Sequence, residues 1–221
     1  MRNHVKEEFE YRKIIESSAE IADLDFERCS FVGGVIMQPA DDPAYGLLVR
    51  NVALRKCKAG NVELYGVRFE DITVDTLSHP KLIEFEACVC THVVLRGKVG
   101  AVRFRPAIED DSRAVLAPAA AKLYEGVDWA LDITEAEFSD VEIWDVPGHL
   151  VKRDPETQLL VHRSAAAAAD IDSLSVYAQI YVERAAEAPY ETSVVAAPKR
   201  SKSFQEILDA FHELRDLGIA E

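Results

Sequence analysis

The stretch VELYGVRFEDITVDTL, Val62–Leu77, decides how this chain is read. Its apolar residues fall at Val62, Leu64, Val67, Phe69, Ile72, Val74 and Leu77, with gaps that alternate between two and three. An amphipathic helix requires gaps of three and four, and a half-buried strand requires steady twos. Neither fits. Extended backwards, one column of apolar residues runs Leu47, Val52, Cys57, Val62, Val67, Ile72, Leu77, and a second runs Val49, Leu54, Ala59, Leu64, Phe69, Val74. All 13 positions are apolar, whereas only Leu48, Ala53 and Tyr65 are apolar among the 18 positions between them. The chain therefore repeats with a beat of five.

The beat returns in LDFERCSFVGGVI (Leu24–Ile36), IEFEACVCTHVVL (Ile83–Leu95) and LDITEAEFSDVEIWDV (Leu131–Val146). Two inward side chains flanking one outward residue make a very short strand, and the next two residues let the backbone turn a corner. Four such sides would close a square coil of about 20 residues, with successive coils paired at about 4.8 Å. Cys29, Cys57, Cys88 and Cys90 all fall on inward positions, which makes them structural thiols. The pattern resembles the pentapeptide-repeat family, most closely in Ala22–Phe31 (ADLDFERCSF) and Val67–Leu77 (VRFEDITVDTL). The likeness covers Ala22 to Val146 with interruptions, and it departs from the family where Val or Ile replaces a central Leu or Phe. It implies a mainly β fold, a right-handed parallel β-helix of about four irregular coils.

Around that frame the sequence predicts a cap segment over residues 1–20, the β-helix over 21–146, and a C-terminal α-rich or α/β cap over 147–221. The prolines and acids of QPADDPAYG (38–46) mark an inserted loop. A longer excursion spans 105–128, with a short helix expected after Pro118, the proline sitting near its first turn. RSAAAAADIDSLSVYAQIYVERAAEAPYE reads as mostly helical and TSVVAAP as a short strand. SFQEILDAFHELRDLG is the clearest helix, with Ser203 and Glu206 placed as a capping box and Gly218 as the C-cap glycine.

A net charge of -14, from 25 basic and 39 acidic residues, disfavours direct nucleic-acid binding and an anionic membrane surface, and it permits a basic protein partner. No apolar run is long enough for a membrane span, and the charged start MRNHVKEEFEYRKIIES lacks a secretory core, so a cytoplasmic protein is expected. The nucleotide-binding, metalloprotease and hydrolase motifs are missing. His4, His79, His92, His149, His162 and His212 show no ligand spacing, and Cys88 and Cys90 are two apart instead of C-x-x-C. No catalytic residue, metal site or cofactor is expected. APKR (Ala197–Arg200) reads as a solvated loop more readily than as an anion site.

The informative surface lies in Trp129–Pro147, where Asp132, Glu135, Glu137, Asp140, Glu142 and Asp145 occupy outward positions with no lysine or arginine among them. Stacked with Glu70, Asp71 and Asp75, or with Glu84 and Glu86, they would build a negative face, with Trp144 as an outward aromatic anchor at a corner. The function expected first is therefore a non-enzymatic protein-binding module, an immunity or inhibitor protein whose acidic face engages a basic protein. The alternatives are an enzyme, hydrolase or transferase, with a site between β-helix and C-terminal region, and a structural module that self-associates as a homodimer.

Overall fold

The computed structural model describes all 221 residues. Strands β1 (Arg2–Val5), β2 (Glu8–Glu10) and β3 (Lys13–Ile15) come first, followed by β4 (Ala19–Glu27), β5 (Ser30–Val32) and β6 (Val35–Met37). After the 38–46 loop the chain forms β7 (Leu47–Gly60), β8 (Glu63–Tyr65), β9 (Arg68–Ser78), β10 (Ile83–Glu86), β11 (Val89–Val99) and β12 (Ala101–Arg105). Helix α1 (Asp110–Tyr124) precedes β13 (Leu131–Asp132), β14 (Ala136–Glu137), β15 (Asp140–Ile143) and β16 (Val151–Lys152). The C-terminal part holds β17 (Gln158–His162), α2 (Arg163–Ala167), α3 (Val176–Ala186), β18 (Thr192–Ala196) and α4 (Phe204–Asp216).

These strands make two sheets. In the ten-stranded sheet, β1-β4-β7-β9-β11-β13-β16 lie side by side, with β2, β5 and β14 attached, and every pairing is parallel. The eight-stranded sheet runs β17-β18-β15-β12-β10-β8-β6-β3 and is mixed, because β18 pairs antiparallel with both β15 and β17. Apolar residues meet in register across the parallel ladders. Leu24 lies beside Val52, Val52 beside Ile72, and Ile72 beside Val93.

The expected fold class is corrected by this architecture. The chain is an α/β fold of one large parallel sheet, one mixed sheet and four helices, rather than a pentapeptide-repeat-like β-helix of about four coils of very short sides. Strands of 14, 11 and 11 residues (β7, β9, β11) run where very short sides, two inward residues flanking one outward, were expected. The beat of five survives as bends, some inside those strands (Asn51, Lys56, Asp71, Thr76, His92, Gly97) and some at the corners between strands (Asn61, Gly66, Ala87), all with positive φ. A single left-handed residue turns the strand without ending its ladder. Apolar spacing reports which way side chains point, and hydrogen bonding decides where a strand stops.

Residues 1–20, expected as a cap segment, supply β1, β2 and β3 at the outer edge of the sheets. Helix α1 begins eight residues before Pro118, which sits inside it instead of in its first turn. Its buried residues Leu116, Ala120 and Tyr124 join the main core, where the Tyr124 hydroxyl accepts the Cys90 N–H at 3.1 Å. All four cysteines are buried and free.

The C-terminal part has a second core, in which Leu159, Val161, Val182, Phe211 and Leu214 meet. The helix α4 ends as its sequence predicts. Gly218 has a φ of 69°, the Ile219 N–H bonds the Leu214 carbonyl at 2.9 Å, and Gly218 N–H bonds that of Arg215 at 2.9 Å. Its expected capping box does not form, because Ser203 makes no side-chain cap bond and its own N–H goes to the Ser201 hydroxyl.

Gly46 delivers the inserted loop into β7 directly beneath the backbone of Ser17, where a Cβ would collide with the Ser17 carbonyl oxygen. Gly46→Ala is expected to lower stability by about 1–3 kcal/mol, because only backbone is available to move. Gly60, with open space around it, is the control: Gly60→Ala is expected to be neutral or slightly stabilising. Urea midpoints of the two variants test the contrast.

Candidate partner-binding surface

The segment from β13 to β15 is anchored by Leu131, Ile133, Ala136, Phe138, Val141 and Ile143, all buried. With these side chains inward, Glu135, Glu137 and Asp140 are held outward and exposed. Asp132 is half-buried, and its Oδ1 accepts the Thr134 N–H at 3.1 Å and the Thr134 hydroxyl at 2.7 Å, which fixes the turn into β14. In register, Asp132 neighbours Lys152 and Glu137 neighbours Lys98, yet neither pair closes to a salt bridge. The Lys152 Nζ instead lies 3.7 Å from the centre of the Trp129 ring.

Two of the six acids leave this surface. Glu142 is paired with Arg103 Nε at 2.7 Å and with Arg184 at 3.3 Å, and its side chain is largely covered. Asp145 is only 4% exposed, a correction to its expected outward position. Residues distant in sequence enclose it, among them Tyr45 of the first loop, Tyr124 of α1 and Tyr190, and beyond it a Cβ on Gly148 would stand 2.8 Å from the Ser193 nitrogen of β18. Trp144 remains 36% exposed, with the Arg184 guanidinium 5.8 Å from its ring. Together with Tyr181 and Ser193 it edges a shallow cleft between β15 and α3.

The wider negative face does not form. Glu84, Arg103 and Glu142 are direct register partners across β10, β12 and β15. Arg103 bridges to both acids, and Arg105 reaches Glu84 at 3.3 Å and Glu86 at 2.8 Å. On the other sheet, Arg68 holds Glu70 at 3.0 Å and Arg96 holds Asp75 at 3.0 Å. Every acid of β9 and β10 is ion-paired, Asp71 through His92. The sequence reading placed these acids on the surface and missed the arginines opposite them.

The histidines do not converge on a reactive centre. His92 Nδ1 lies 3.1 Å from Asp71 and Nε2 2.7 Å from Asp128, and the hydrogen bond to Asp128 raises its pKa. This trio sits on the open surface against Trp129 instead of in a desolvated pocket. His79 turns its Nδ1 to the Lys81 carbonyl. No three His, Cys, Asp or Glu residues come together as metal ligands. In the APKR loop, Lys199 pairs with Asp154 at 3.1 Å and the Arg200 N–H bonds the Phe138 carbonyl at 3.2 Å.

Asp145 shares its surroundings with Tyr45, Tyr124, Tyr190, Cys88 and Cys90, whose pKa values are all raised, mainly by burial. Burial pushes the Asp145 carboxyl up to about 7, and the more distant Arg113 offsets only part of this. The native state therefore holds a proton that the unfolded chain releases near pH 4, so stability falls as pH rises from about 4 to 7. Asp145→Asn is expected to remove that decline and to exceed the wild type in stability at pH 8 by a few kcal/mol. Urea unfolding across pH 4 to 8 checks the sign: a wild type that gains stability over this range contradicts it.

The chain matches no protein-family model, no curated protein and no solved structure, so no match stands behind its resemblance to pentapeptide-repeat proteins.

Proposed function

We propose that this protein is a non-enzymatic binding module, of the immunity or inhibitor kind, that engages a basic protein through the surface carrying Asp132, Glu135, Glu137 and Asp140. The supporting observation is a contrast in pairing. The acids of β9 and β10 are neutralised by arginine or histidine, whereas these four have no ion-pair partner and stand on a backbone held rigid by six buried side chains. Fixed unpaired carboxylates raise the association rate with a basic surface and select among partners. Trp144 at the neighbouring edge supplies apolar area, with Arg184 already ordered against it. The free, buried thiols suit a reducing compartment such as the cytoplasm, and no helix is long and apolar enough to cross a membrane.

The triple variant Glu135→Lys, Glu137→Lys, Asp140→Lys tests this reading, because all three side chains are exposed and the fold does not use them. Immobilised wild-type protein is expected to retain a basic protein from cell lysate at low salt and to release it at high salt. The triple variant should lose at least about tenfold in affinity. Equal capture by both proteins defeats the reading.

Self-association is a second reading with its own observation. Strands β1, β2 and β3 each pair on one side only, and Met1, Val5, Tyr11 and Ile15 are exposed around those open edges. Open strand edges recruit further strands unless charge blocks them. Sedimentation velocity is expected to show a dimer that grows with concentration and is abolished by Val5→Lys with Ile15→Lys; a monomer at every concentration removes this reading.

A further inference from the structure

Many of the inward positions of the repeat are only half-buried, among them Leu24, Leu54, Leu64 and Leu77, because they line a cavity of about 480 Å³ between the two sheets. Of its 24 lining residues, 21 are hydrophobic; the others are Gly34, Arg12 and Lys13. One wall is the register column Ile14, Ile36, Leu64, Phe85 and the other is Leu24, Val52, Ile72, Val93. Together the walls cover five strand levels, four spacings of about 4.8 Å, and so a length of roughly 19 Å. A cavity of that length with an almost wholly apolar lining accommodates an extended alkyl chain. At the inner end Phe85 stacks on the buried Phe104, ring centres 4.5 Å apart. The outer end lies at the open strands β2 and β3, where Arg12 and Lys13 are exposed and neither forms a salt bridge.

We propose that this cavity binds a single long-chain alkyl carboxylate, with the chain threaded between the sheets and the head group held at the mouth by Arg12 and Lys13. The length and apolar lining of the cavity match a hydrocarbon chain. The only two charged residues of the lining share one sign and one end, which sets both the charge of the head group and the direction of entry. The volume falls in the range of about 300–1,000 Å³ common for small-molecule sites. This site is separate from the acidic surface at β13–β15.

The test is calorimetric titration of the full-length protein with saturated alkyl carboxylates of increasing chain length, each below its micellar concentration. Affinity is expected to rise about fourfold per added methylene and then to level off once the chain reaches Phe85. The corresponding alcohols should bind at least about tenfold more weakly. Arg12→Ala with Lys13→Ala should weaken the carboxylates and leave the alcohols unchanged. Ala59→Phe, which places a ring in the channel, should abolish binding of the longer chains. Should that variant melt early, Val62→Phe, also in the lining, replaces it, and the Arg12 and Lys13 pair at the surface keeps the test independent of core packing. Absence of binding at any chain length, affinity that does not depend on chain length, or full affinity in the channel-blocking variant each overturns the proposal.

Discussion

Parallel pairing of β4, β7, β9 and β11, in a register that sets apolar residue against apolar residue, is the constraint on which the remaining structure depends. A slip of one residue would turn every inward side chain of a strand to the opposite face. The beat of five prevents that slip, since the left-handed residues at Asn51, Asp71 and His92 come at the same point of successive strands and lock the bends together. The second sheet follows from the first. Its strands are the return stretches of the same chain, and Ile36, Leu64 and Phe85 stand in register because the long strands do.

What could be read from the chain beforehand was side-chain direction. Val67, Phe69, Ile72 and Val74 are buried where the spacing put them, the 38–46 segment is a loop, and Gly218 ends α4. Hydrogen bonding was not legible in the same way. The residues between apolar pairs continue the ladders instead of interrupting them, which produces long strands and the two-sheet α/β architecture. Capping was misjudged at α4 for a local reason, since the Ser201 hydroxyl lies closer to the Ser203 N–H than any reciprocal cap from Glu206. Asp145 obeyed the outward spacing and is nonetheless buried, because residues distant in sequence, Tyr45, Tyr124 and Tyr190, close over it.

The distribution of charge shows why the candidate surface was only half legible. A carboxylate on one strand meets whatever stands on the next, about twenty residues away, and that distance carries no signal in a window of ordinary length. Glu84 and Arg103 were within reach of such a count. Arg103 and Glu142 were not, since the 105–128 excursion nearly doubles their separation in sequence while leaving them adjacent in space. Asp132 stays unpaired because its register neighbour Lys152 turns to Trp129, Glu137 and Lys98 are neighbours that do not close to a salt bridge, and Asp140 stands opposite Ala101. Composition gave a large negative charge, and topology decided which acids meet an arginine or histidine: those of β9 and β10 do, and Asp132, Glu135, Glu137 and Asp140 do not.

The two excursions also meet each other. Tyr45, from the first, is fully buried and directs its hydroxyl to the Leu116 carbonyl of α1 at 3.5 Å, while Tyr65 ties β8 to Asp41 of the first loop at 2.6 Å. A simple stack of strand levels would fray from an end, one level at a time. Here the levels between β7 and β12 are clamped along one flank by parts of the chain seventy residues apart, so they must open as a unit. Amide hydrogens from β7 through β12 should therefore exchange with one common free energy, separate from the looser strands β1 to β3.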